Sequence, residues 1–225
     1  MNGAKILKSQ IEKMILDQSF DYLQPYFYNN PYALRCELGI GETEEEYLAN
    51  AKSRAEKIYK ILFPHAAQAI IFDYWKHDWA DSDDAWGDRV FVENIVSSEA
   101  QQTRFLLENL QKYRHVTVKN LKTYCEPDDP DYDSIRHDRV VCYSDGKGFD
   151  DIALLYGQIE DSTICDVSLV SFENECILSV YDDRGCDVVF ANHKKMSEFF
   201  ELLRPYLFDY DMEEMEKRLN GGQKK

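Results

Sequence analysis

Residues 163–191 hold three strand-like apolar segments, Thr163–Phe172, Cys176–Tyr181 and Cys186–Ala191, separated only by Glu173-Asn174-Glu175 and Asp182-Asp183-Arg184-Gly185. Connections this short have no room for a crossover, so the segments must pair as antiparallel neighbours. A run of such strands argues against a regular doubly wound parallel sheet.

The rest of the chain adds helices around that sheet. Tyr32–Ile40 alternates, with Tyr32, Leu34, Cys36 and Leu38 on one side and Arg35 and Glu37 on the other, which predicts a strand. Thr43 and Glu46 form a capping box that starts a helix with Tyr47, Leu48, Ala51, Ala55, Ile58, Tyr59 and Leu62 on one stripe, and Pro64 ends it. Ala67–Trp75 reads as a buried strand, and His115–Tyr124 and Arg139–Tyr143 as further strands. Ser98 and Gln101 head another helix, through Tyr113, and residues 4–23 carry an amphipathic pattern of Leu7, Ile11, Met14 and Ile15 before Pro25. A short helix is expected at Phe149–Gln158, with Phe149, Ile152, Ala153 and Tyr156 sharing a face. Asn192 should cap a helix bearing Met196, Phe199, Phe200 and Leu203, followed by a last helix at Asp211–Leu219 and a loose tail from Gly221. The expected architecture is α+β: a mixed, largely antiparallel sheet flanked by helices. It forms one domain over residues 1–225, with a sub-boundary near 145 left open.

Charge restricts the partners. Against 26 Lys and Arg stand 42 Asp and Glu, a formal charge of −16, so the long-range field repels phosphate backbones and anionic membranes. Nucleic acid and membrane surfaces are therefore not expected as ligands. Met1–Lys8 lacks the apolar run of a signal peptide, and no stretch approaches the roughly 20 apolar residues of a membrane span, so a cytoplasmic protein is expected. Cysteines 36, 125, 142, 165, 176 and 186 are scattered singly without ligand spacing and read as buried, reduced thiols. Neither a cofactor nor a metal site is expected.

Tyr181-Asp182-Asp183-Arg184-Gly185, then Asp187-Val188-Val189, an amphipathic helix and Leu207-Phe208-Asp209-Tyr210, resembles a bacterial family catalogued as domain of unknown function 3885. Leu34-Arg35-Cys36-Glu37-Leu38-Gly39, with Arg54-Ala55 in the next helix and a strand ending near Phe72, is similar to the same family's N-terminal pattern. The resemblance covers roughly residues 30–75 and 150–220, and it implies no reaction. Cys186 stands where that family's pattern suggests a bulkier apolar residue.

Two groups of residues are candidates for function. In the first, Asp182, Asp183, Arg184 and Asp187 could bind a cation or activate water. The same residues also make a solvated turn, with Gly185 at positive φ and Asp187 accepting turn amides or pairing with Arg184. In the second, Asp73, Asp78, Asp81, Asp83, Asp84 and Asp88 are interleaved with Tyr74, Trp75, Trp79 and Trp86. It reads either as an acidic loop or as an interface where aromatic anchors sit among carboxylates that attract a basic partner. It fails the calcium-loop pattern, with Trp86 where glycine belongs and Val92 at the twelfth place counted from Asp81. Glu126–Asp133, around Pro127 and Pro130, reads as a turn-rich loop. No nucleophile elbow, phosphate loop or zinc helix occurs.

The leading expectation is a non-enzymatic cytosolic binding protein of immunity or inhibitory type that captures a basic protein through an acidic, aromatic-rich surface. The alternative is a small hydrolase or ligand-binding enzyme using Asp182, Asp183, Arg184 and Asp187, joined by Arg35 and Glu37. That alternative requires these groups to converge beside a cleft.

Overall fold

The structure, a computed structural model, describes residues 26–77, 114–121, 135–143, 149–160 and 166–221. In chain order they form α1 (Tyr26–Asn29), β1 (Ala33–Glu37), α2 (Glu44–Leu62), β2 (Ala69–His77), β3 (Arg114–Leu121) and β4 (Ile135–Tyr143). These are followed by α3 (Asp151–Ile159), β5 (Asp166–Ser171), β6 (Cys176–Val180), β7 (Gly185–Phe190), α4 (His193–Leu203) and α5 (Met212–Gly221), with 3-10 turns at Arg204–Tyr206 and Asp209–Asp211 before α5. The expected helices at 4–23 and 98–113, the acidic stretch from Asp78 to Asp88, the loop at 126–133 and the tail beyond Gly221 lie outside the described residues.

The strands form one 7-stranded sheet in the order β1-β7-β6-β5-β2-β4-β3, and every pairing is antiparallel. The chain is α+β, as expected. β1 and β2 run in the same direction with three strands between them, and α2 makes the crossover that this arrangement demands. The C-terminal hairpins thus sit inside the sheet, between β1 and β2.

Local chemistry starts the helices where the pattern placed them. At α2 the Thr43 hydroxyl accepts from the Glu46 N–H at 3.2 Å, while the Glu46 carboxylate accepts from the Glu42 N–H at 3.3 Å. Ala51, Ala55, Ile58 and Leu62 are its buried stripe. Removing the cap with Thr43→Ala should cost about 1 kcal/mol, read as a lower urea midpoint at unchanged slope. In the same way Asn192 accepts from the Lys195 N–H at 3.0 Å, and α4 buries Met196, Phe199, Phe200 and Leu203 as expected.

α3 departs from expectation. Its buried residues are Asp151, Leu155, Gly157, Gln158 and Ile159, whereas Ala153 is exposed and Ile152 and Tyr156 are half-buried. Two polar side chains turn the helix. Asp151 accepts from the Tyr59 hydroxyl at 2.5 Å and the Ala67 N–H at 2.8 Å, and Gln158 accepts from the Val167 N–H at 3.2 Å. Apolar spacing carries no record of such demands from neighbouring backbone.

β1, β6 and β7 are buried on both faces. Cross-strand partners share a face, so Leu34, Cys36, Cys186, Val188, Leu178 and Val180 cover one side. Arg35, Asp187 and Ser179 line up on the other. The side of β1 read as polar is therefore interior: Arg35 is 8% exposed. Cys36, Cys176 and Cys186 are buried free thiols. Among the described residues no helix is long and apolar enough to cross a membrane.

Candidate functional site

The buried row Arg35, Asp187, Ser179 determines where the site lies. An unpaired charge could not remain inside the protein, and these strands supply its counterion across the register. Arg35 Nε meets Asp187 Oδ1 at 2.9 Å and Nη2 meets Oδ2 at 3.4 Å. Oδ2 also accepts from the Phe27 N–H at 2.9 Å, which ties α1 to the sheet. Arg35 Nη1 lies 3.6 Å from Asp211 Oδ2, an ion pair too long for a hydrogen bond, and that oxygen has no hydrogen-bond partner. The rings of Tyr28, Phe27 and Tyr181 surround the guanidinium with centroids at 4.5, 5.2 and 5.5 Å. Burial pushes the Asp187 carboxyl above its usual range although Arg35 and the Phe27 N–H pull it back. Burial also works against the charge on Arg35, yet its bond to Asp187 leaves the guanidinium above its ordinary value.

This corrects two expectations for the turn. Asp187 pairs with Arg35 instead of Arg184. Arg184 pairs with Asp182, whose Oδ1 accepts from the Arg184 N–H at 2.8 Å and whose Oδ2 accepts from Nε at 2.8 Å. Gly185 does not have positive φ; the positive-φ glycine among the described residues is Gly41. Gly185 is needed for space. A Cβ there would lie 2.1 Å from the Tyr181 hydroxyl and 2.7 Å from the Cys36 carbonyl oxygen.

Beside this row opens a cleft of about 670 Å³. Arg35, Glu37, Asp182, Arg184 and Asp187 line it, so the groups singled out in β1 and in the 182–187 turn do converge. Asp183 stands close enough to raise the Tyr47 phenol. Sequence reasoning missed the uncharged lining: Tyr47 from the first turns of α2, Ser179, Tyr181 and Phe208. The glycines were the available signal. A Cβ at Gly39 would sit 1.9 Å from Tyr47 Cζ, so each of Gly39 and Gly185 leaves room for the tip of a tyrosine ring. Because Tyr47 contributes only a movable ring tip, Gly39→Ala should displace Tyr47 at less than about 1 kcal/mol. The change should appear in tyrosine fluorescence and in the urea midpoint.

Of the three carboxylates that line the cleft among the described residues, two are compensated. Asp187 has Arg35 and Asp182 has Arg184, but Glu37 has no ion pair among the described residues. Arg54 donates instead to the Glu37 carbonyl, at 2.8 Å. Asp183 likewise lacks an ion pair among the described residues. The Tyr47 phenol is raised first by burial and then by Asp183 and Asp182, against which Arg184 acts weakly. The local field is negative. Several acids elsewhere on the described surface are matched, among them Glu160 by Lys52, Glu56 by Lys60, Glu214 by Arg218, and Glu201 and Glu216 by Arg204.

Tyr181 reports on the site by pH. Burial first, then Asp187, holds its phenol above the ordinary value. A group raised in the folded state adds stability below its unfolded value and loses it as pH climbs through the folded one. Tyr181→Phe should therefore flatten part of the alkaline fall in stability and remove one late step from the phenolate absorbance titration.

Of the second candidate group, Trp75 lies in β2 opposite His137. Asp78, Trp79, Asp81, Asp83, Asp84 and Trp86 lie outside the described residues. No group of three or more potential metal ligands occurs among the described residues.

No curated protein and no solved structure matches the chain. A family match does run over residues 13–211, through the first block that carried the resemblance, the part between and most of the second block, so the chain belongs to the family described as Domain of unknown function (DUF3885).

Proposed function

We propose that this protein is a cytosolic, non-catalytic binding protein that captures a basic protein partner, in the manner of an immunity or inhibitory protein, with the cleft at the β1/β7 end as its recognition site. The observation that carries the reading is the Glu37 carboxylate, which has no ion pair among the described residues and lines a cleft with aromatic side chains, where the described cations Arg35 and Arg184 are already paired and Asp183 acts on the same Tyr47 phenol. The overall charge of −16 adds long-range attraction for a basic surface.

Convergence of Arg35, Glu37, Asp182, Arg184 and Asp187 gives the enzyme reading its support. Against it, Asp187 is bound by Arg35 and the Phe27 N–H, Asp182 is bound by Arg184, and no histidine or lysine among the described residues lines the cleft to relay a proton.

Binding to fluorescent polylysine at rising salt tests the charge reading. Affinity should fall steeply with ionic strength, and the Glu37→Gln, Asp183→Asn double variant should bind about tenfold more weakly. An affinity indifferent to both changes would remove the basis of the proposal.

A further inference from the structure

The unpartnered groups in the cleft share one chemical property. Glu37 has two free carboxylate oxygens, Tyr47 and Tyr181 have hydroxyls, and Ser179 has a hydroxyl on a side chain from a residue only 3% exposed. None of these four side-chain ends has a hydrogen-bond partner among the described residues, and every one can accept. Among the described residues both cations that line the cleft are occupied, and Arg35 answers two carboxylates, Asp187 and Asp211. An anion would meet hydroxyl donors but no unpaired cation among the described residues and would be repelled by Glu37, whereas a cation rich in donors would satisfy that carboxylate and the hydroxyl oxygens together.

Resting on the reading of the cleft as a cation receptor, we propose that it receives an arginine side chain presented on a short extended segment of the partner protein. A guanidinium offers five donors in a planar fork, which suits the paired oxygens of Glu37 and the dispersed hydroxyls. It also stacks on aromatic rings, and Tyr47, Tyr181 and Phe208 are in the cleft lining. Lysine brings three donors on a compact, strongly hydrated head and satisfies fewer acceptors. The fold already holds one arginine by this chemistry, since Arg35 lies between a carboxylate and three rings.

Size and edge geometry define the rest of the ligand. About 670 Å³ is the scale of a ligand larger than one side chain. Strand addition to β1 is closed off. Leu207 bridges to Cys36, and the Phe208 N–H donates to the Arg35 carbonyl at 3.0 Å, so the chain itself covers that edge. The segment must therefore be read through its side chain.

The test measures fluorescence anisotropy of the full chain with dye-labelled glycine peptides carrying one central arginine, lysine or citrulline, and competition by arginine amide. The arginine peptide should bind roughly tenfold more tightly than the lysine peptide and the citrulline peptide far more weakly still. Glu37→Gln should abolish the preference for arginine, and Tyr47→Phe, which removes one acceptor, should reduce it. Urea unfolding of both variants confirms that the fold is retained. Equal binding of arginine and lysine peptides, both lost in Glu37→Gln, would overturn the arginine assignment while leaving the cation receptor standing. Arginine amide competing as well as the peptide would overturn the segment. Peptide binding insensitive to Glu37→Gln and to salt would overturn this inference and the proposed function together.

Discussion

Arg35→Ala is expected to be the most damaging single substitution, lowering stability by roughly 3–5 kcal/mol at neutral pH. The variant would leave the Asp187 carboxylate almost fully buried, and Asp211 beside it, with no guanidinium for either. A loss of that size is a large fraction of the roughly 5–15 kcal/mol that holds a typical domain together. Its pH dependence follows from the sign of the Asp187 shift. Burial already raises that carboxyl in the intact protein, and removing Arg35 raises it further. A carboxyl raised on folding favours the folded state below its unfolded value and disfavours it as pH rises. The deficit of Arg35→Ala should therefore be small near pH 4 and grow toward pH 8. Urea unfolding across that range measures it, and a deficit that shrinks as pH rises would contradict the assignment of the pair. Arg35→Met combined with Asp187→Leu should recover part of the loss, because an apolar pair carries no desolvation penalty. Recovery stays partial, since the Phe27 N–H and Asp211 would still lose their partners.

Gly185→Ala comes next, with an expected cost of about 1–3 kcal/mol. The added methyl would overlap the Tyr181 hydroxyl at 2.1 Å, which the ring could relieve by swinging into the cleft. It would also sit 2.7 Å from the Cys36 carbonyl oxygen, and that backbone atom belongs to the neighbouring strand. Relief there requires β1 and β7 to separate, with consequences for the Glu37↔Gly185 and Cys36↔Cys186 positions and for the Arg35–Asp187 pair one step further. Gly185→Ala should therefore weaken the proposed cation binding as well as stability. Faster amide hydrogen exchange in β1 and β7 would place the disturbance where the contact predicts it, and native exchange rates with a native urea midpoint would refute the steric argument.

How far the site could be read from the chain depended on the kind of interaction involved. The 182–187 turn and the Arg35, Glu37 pair stood out because charges interrupting apolar strands are conspicuous in any register. Their partners were not legible. Arg184 looked like the natural mate of Asp187 because it is three residues away, yet the β pleat sends Asp187 to the face shared with Arg35, 152 positions distant in sequence. Tyr47, Ser179 and Phe208 reach the cleft from α2, β6 and the segment after the first 3-10 turn, and no local pattern links them. In α3 the apolar spacing gave no sign that Asp151 and Gln158 would be buried as well, serving backbone donors at Ala67 and Val167.

By itself the chain determined what short-range forces decide. Short connections forced antiparallel pairing at 171–176 and 180–186, side-chain oxygens at Thr43 and Asn192 started two helices, and alternation located β1. Strand order, the covering of the β1 edge by Leu207 and Phe208, and the choice of Arg35 as counterion were decided only in the folded molecule. Each of these matches a group with one far away in sequence, and only burial, by making an unmatched charge or backbone donor too costly to keep, selects the partner.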